Sequence, residues 1–126
     1  MTLVLDAGGL VAIERGNRET IALVKRELHA GHTPVTHGAV IGQVWRGGSG
    51  RQARLAMFLP ALRTVPVDAL LGQRAGVLLS KTRTRDVVAA ALVLLAADGD
   101  SILTSDPVDI AVLAAAAEID VEVISV

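Results

Sequence analysis

Thr2-Leu3-Val4-Leu5-Asp6-Ala7-Gly8-Gly9 opens the chain with a short apolar run that ends on an acid and two glycines. Such a run, too brief for a helix and closed by glycine, reads as a strand feeding a turn. The pattern returns at Ser101-Ile102-Leu103-Thr104, which runs into Ser105-Asp106-Pro107, and at Val121-Glu122-Val123-Ile124. Thr33-Pro34-Val35-Thr36 and Thr64-Val65-Pro66-Val67 are further extended segments. Helical spacing fills the intervals. A turn or two is expected over Leu10 to Arg15, and a helix capped by Asn17 carries Ile21, Leu23, Val24 and Leu28 up to Gly31. Val40, Ile41, Val44 and Trp45 form a third periodic stretch, and Arg51 to Leu62 a fourth. Asp68 caps a helix running to Ser80, Asp86 caps an apolar one through Ala97, and Asp109 to Ala117 is the last. Short Val- and Ile-rich strands alternating with helices predict an α/β fold: one three-layer domain over residues 1–126, with a mostly parallel sheet flanked by helices.

Composition narrows the class. The 126 residues suit one domain, and at 52% hydrophobic content they can bury a real core. With one Trp, one Phe and no Tyr, that core must be aliphatic. The absence of cysteine excludes disulfides, thiolate zinc sites and a cysteine nucleophile. The apolar run Val87–Ala97 falls well short of the roughly 20 residues that span a bilayer. The start of the chain has no basic n-region, so a soluble cytoplasmic protein without membrane attachment is expected. A net charge of −1 gives no bulk attraction to nucleic acid, so any such contact must be local.

In open parallel sheets, ligands bind outside the carboxyl ends of the strands. Asp6 and Asp106 both follow strands and should reach the same edge, with Asp86 and Asp109 near it. Converging carboxylates repel one another unless a cation neutralises them. An all-oxygen donor set suits Mg²⁺ or Mn²⁺ and hence phosphodiester chemistry. Each acid also has a plainer reading. Asp86 and Asp68 are good helix caps, and Asp106 before Pro107 could cap the last helix. Asp6 is harder to explain structurally, because Asp is unfavourable at a strand end.

The other polar features are less pointed. His29 and His32 flank a helix end, where they suit the dipole, and His37 is expected in a solvated loop. Gly47-Gly48-Ser49-Gly50 is a loop, but it follows a helix and lacks the Lys-Ser/Thr of a phosphate-binding loop. A receiver-like phosphoacceptor would need a Lys near the end of a late strand, and neither Lys25 nor Lys81 is placed there.

Leu3-Val4-Leu5-Asp6-Ala7-Gly8, Gln43-Val44-Trp45-Arg46-Gly47-Gly48, Asp86-Val87-Val88-Ala89-Ala90 and Leu103-Thr104-Ser105-Asp106-Pro107 occur in the order found in one family. With these four segments the chain resembles the PIN-domain family over essentially its whole length, and among its members the toxins of VapBC toxin–antitoxin modules. The resemblance implies a Mg²⁺- or Mn²⁺-dependent endoribonuclease that cuts RNA (tRNA or rRNA in such toxins). It implies a homodimer restrained by a VapB-type antitoxin, touching DNA only through that antitoxin. Asp6 matches the first acid of the family pattern and Asp106 the acid after the fourth strand, with Asp109 where a further acid often follows. Two positions depart. Gln43 stands where the family usually has Glu, and Ala89 where relatives carry a metal-binding Asp, with Asp86 one helical turn earlier. The expected catalytic residues are therefore Asp6, Asp106 and Gln43, the expected metal ligands Asp6, Asp86, Asp106 and Asp109, and the expected activity is weakened. A PIN-like domain that binds antitoxin or RNA without cutting is the alternative. RNA contacts are expected from Arg15, Arg46, Arg51, Arg83 and Arg85, and antitoxin contacts from Val40 to Trp45 and Leu55 to Leu59.

Overall fold

A computed structural model describes residues 1–48 and 50–126. Five short strands form one sheet: β1 (Leu3–Leu5), β2 (Val35–His37), β3 (Arg63–Val65), β4 (Ser101–Thr104) and β5 (Glu122–Ser125). Their order is β3-β2-β1-β4-β5. The fold is α/β, and the sheet is wholly rather than mostly parallel, since every pairing runs parallel. Central β1 sets Val4 against Val35 on one side and Leu3, Val4 and Leu5 against Ser101, Ile102 and Leu103 on the other.

Helices α1 (Ala7–Glu14) and α2 (Arg18–His29) join β1 to β2, and α3 (Gly38–Val44) and α4 (Ala53–Phe58) join β2 to β3. The chain then crosses back through α5 (Ala69–Ser80) and α6 (Val87–Val93) to β4, and through α7 (Pro107–Ala116) to β5. Because parallel crossovers are right-handed, the two directions of travel place α1–α4 on one face and α5–α7 on the other. The packing agrees: α1 lies against α2, α3 and α4, whereas α5, α6 and α7 pack on one another. Leu3, Val4, Leu5, Ile102 and Leu103 are fully buried between these layers, with Leu10, Ile13, Val40, Leu92 and Leu113 from the helices. Strands β3 and β5, at the two margins, stay partly exposed. No helix among the described residues is long and apolar enough to cross a membrane.

Three sequence expectations shift. Gly8 and Gly9 belong to α1, not to a turn, because the helix must press against β4. A Cβ at Gly8 would sit 2.5 Å from the Ser105 nitrogen, and one at Gly9 would sit 3.3 Å from Leu103 Cβ. The helix expected over Arg51–Leu62 is reduced to α4 and a 3-10 turn at Leu59–Ala61, since Pro60 has no N–H and clashes with the preceding helical turn. The helix expected through Ala97 ends at Val93. Beyond it, the Asp100 carboxylate takes the Ala97 and Thr2 N–H groups and turns the chain into β4. In the expected glycine loop, Gly47, Gly48 and Gly50 take φ values of +73, +74 and +73°, while Ser49 lies outside the described residues.

Candidate acidic site at the sheet switch point

Strand order reverses between β1 and β4, the place where doubly wound sheets open a crevice at their carboxyl ends. Asp6 leaves β1 there. Half-buried, it caps α1 by accepting the Ala7 N–H at 2.8 Å through Oδ1. Its Oδ2 accepts the Thr104 hydroxyl at 2.8 Å. Thr104 is itself fully buried, and its oxygen accepts the Asp106 N–H at 2.9 Å. One hydroxyl thus fixes the spacing between the acid after β1 and the acid after β4.

Asp106 and Asp109 are exposed. Asp106 takes the expected N-cap position of α7, but its side chain accepts no N–H from that helix. Its negative charge is the main cause that holds the Asp109 carboxyl above the usual aspartate range. Hydrogen bonding toward Asp106, desolvation and the charge of Asp86 push the same way. Asp86 realises its capping role by accepting the Ala89 N–H at 3.1 Å, yet stands close enough for Asp109 to feel its charge. The fold therefore gathers Asp86, Asp106 and Asp109 electrostatically, with Asp6 joined to them through Thr104.

These carboxylates do not form a closed cage. Among the described residues no group of three or more His, Asp or Glu side chains is arranged to hold a metal ion. The donor chemistry nonetheless fits a hard divalent cation, being all oxygen and burdened by its own repulsion. Elsewhere Asp68, Asp98 and Asp100 are engaged differently, each accepting backbone N–H groups.

Gln43 lies exposed in the last turn of α3, and no hydrogen bond joins its side chain to the four acids among the described residues. Ala89 is 7% exposed in the first turn of α6, beside Asp86. Among the expected RNA-contacting arginines, Arg46 is engaged internally. Its guanidinium donates to the carbonyls of Gly42, Gln43 and Trp45. Arg15 lines a cavity of about 360 Å³ on the α1 side of the switch point, with Ala7, Gly8 and Ser105. Arg51, Arg83 and Arg85 are exposed, and among the described residues no arginine makes an ion pair; the one such contact is His32–Glu27 at 3.4 Å.

The expectation of a solvated His37 is overturned. His37 is fully buried at the end of β2 and caps α3, with Nδ1 accepting the Val40 N–H at 3.3 Å and Nε2 donating to the Val88 carbonyl at 2.9 Å. That pair of roles specifies the neutral ring protonated on Nε2. The ring ties the end of β2 to the first turn of α6, which carries Asp86 and Ala89. A signal was present: His37 continues the buried Val35-Thr36 run and stands where a helix needs its cap.

A second side chain whose role the sequence hides is Gln52. Its Nε2 donates to Glu14 Oε1 and the Val44 carbonyl, and its Oε1 accepts the Arg46 and Gly47 N–H groups. Nothing in the local pattern around Gln52 announces this clamp. Compared with known protein families the chain matches none, and no curated protein matches it.

Proposed function

We propose that this chain is a PIN-type endoribonuclease of the toxin class, dependent on Mg²⁺ or Mn²⁺ and weakened by Ala89. The observation that carries the reading is the meeting of Asp6 and Asp106 at the switch point of the sheet, where the Thr104 hydroxyl donates to the Asp6 carboxylate and accepts the Asp106 N–H. Asp6, Asp106 and Asp109 would hold the cation, with Asp86 contributing charge while it caps α6. Such an ion, when bound, activates water and stabilises the leaving oxygen of a phosphodiester. Thr104 orients Asp6 and keeps it apart from the Asp106 backbone. Gln43 brings a neutral oxygen where the resembled family has a carboxylate, so it supplies no charge. The reading also includes a cytoplasmic homodimer, restrained by a VapB-type antitoxin and reaching DNA only through it.

A second reading, a PIN-like domain that binds antitoxin or RNA without cutting it, is favoured by one feature. Ala89, nearly buried beside Asp86, brings no carboxylate where the resembled family carries a ligand. Calorimetric titration of Mn²⁺ into the chain and into Ala89→Asp, followed by RNA cleavage assays, separates the two. The nuclease reading expects weak binding and slow cleavage by the chain, and both stronger in the variant. Absence of metal binding and cleavage in both proteins refutes it.

A further inference from the structure

The segment Ser80-Lys81-Thr82-Arg83-Thr84-Arg85 leads from α5 to Asp86, and all of it but Lys81 lines a concavity of about 580 Å³. Within it, burial alternates. Thr82 and Thr84 are half-buried, whereas Arg83 and Arg85 are exposed. Arg83 and Arg85 both line the concavity, and among the described residues neither has a carboxylate partner. They differ in this from Arg46 and Arg54, whose guanidiniums donate to backbone carbonyls. Two unpaired forked donors flanked by hydroxyls match the oxygens of phosphate groups. Arg85 directly precedes Asp86, so this cationic strip abuts the acidic edge.

We propose that the segment from Ser80 to Arg85 is a docking site for the sugar-phosphate backbone of a single-stranded polynucleotide, with Arg83 and Arg85 each taking one phosphate. The choice of a polynucleotide over other phosphate ligands rests on the ribonuclease reading. The site explains how a chain of net charge −1 can hold a polyanion: its cations are local and uncompensated. Because the contacts are to the backbone, they position the strand without reading its sequence.

The test is binding of a fluorescent single-stranded RNA oligonucleotide to the full chain, followed by anisotropy in EDTA so that cleavage plays no part. The double variant Arg83→Ala/Arg85→Ala is expected to bind about tenfold more weakly, with its log-log salt slope smaller by about 1.4, the loss of two phosphate contacts. Arg18→Ala/Arg26→Ala, on α2, is expected to stay within about twofold of the parent, and thermal melts confirm that each variant folds. The proposal is overturned if the loop variant binds like the parent or the α2 variant loses as much. It is also overturned if polyglutamate or inorganic phosphate displaces RNA as readily as unlabelled RNA does. If arginine-dependent binding is found but Mn²⁺ elicits no cleavage from the chain or from Ala89→Asp, the docking site stands and the nuclease reading alone fails.

Discussion

Ala89→Asp sets a carboxylate at a position that is almost closed to solvent and already beside Asp86. Without a divalent ion that charge is unpaired, and the variant should lose roughly 1–3 kcal/mol of stability relative to the parent. Mn²⁺ should restore more stability to the variant than to the parent, and paired melting curves with and without the ion check both statements. Asp109 makes a pH prediction. Its carboxyl binds a proton more tightly in the folded chain than in the unfolded one, because Asp106 is its neighbour. Folded stability should therefore fall as pH rises through the interval just above the ordinary aspartate range, and the whole penalty is in place at neutral pH. Asp109→Asn removes the penalty. It should melt higher than the parent at neutral pH, and the advantage should vanish under acid, in melts taken from about pH 3 to pH 7. A variant that melts no higher at neutral pH would show that the repulsion is not felt.

Among the elements, the tie between β2, α3 and α6 is the one the sequence concealed. His37→Ala leaves the Val40 N–H and the Val88 carbonyl without their partner and opens space in a buried site. A loss of roughly 2–4 kcal/mol in urea unfolding is expected. An unchanged midpoint would mean that water or neighbouring side chains replace the ring without cost. Gly8→Ala should likewise destabilise, by about 1–3 kcal/mol, since its methyl meets the Ser105 backbone nitrogen and Cβ, which cannot swing away, as well as its hydroxyl. The caps Asn17, Asp68 and Asp86 were legible because capping is a local event read within three residues. The strands were legible from their apolar runs. What stayed hidden was set by distant partners: the helical Gly8 and Gly9 answer to β4, His37 answers to α6, and the Gln52 amide answers to α1 and α3. The common edge for Asp6 and Asp106 followed from parallel topology alone, but the Thr104 hydroxyl between them is a tertiary fact.

At the scale of the molecule, a cation bound only by the folded chain must add to its stability. At a hundredfold excess over its dissociation constant the gain is about 2.7 kcal/mol, so Mn²⁺ should raise the melting temperature of the parent chain while Asp106→Asn blunts the rise. No shift in the parent would count against a metal at the switch point. The wholly parallel sheet has another consequence, in the order of events during synthesis. Asp6 and the Thr104 hydroxyl that holds it are 98 residues apart, and so are the Thr2 N–H and the Asp100 carboxylate at the opposite edge. A ribosome adding 5–20 residues per second needs roughly 5–20 s to bridge that gap. Throughout that interval one side of β1 has no strand to pair with, and the acid after it has no companions. A nascent chain is thus incomplete at this edge until β4 has been made, and the pairing of β4 with β1 closes the sheet and joins Asp6 to Thr104 in one step.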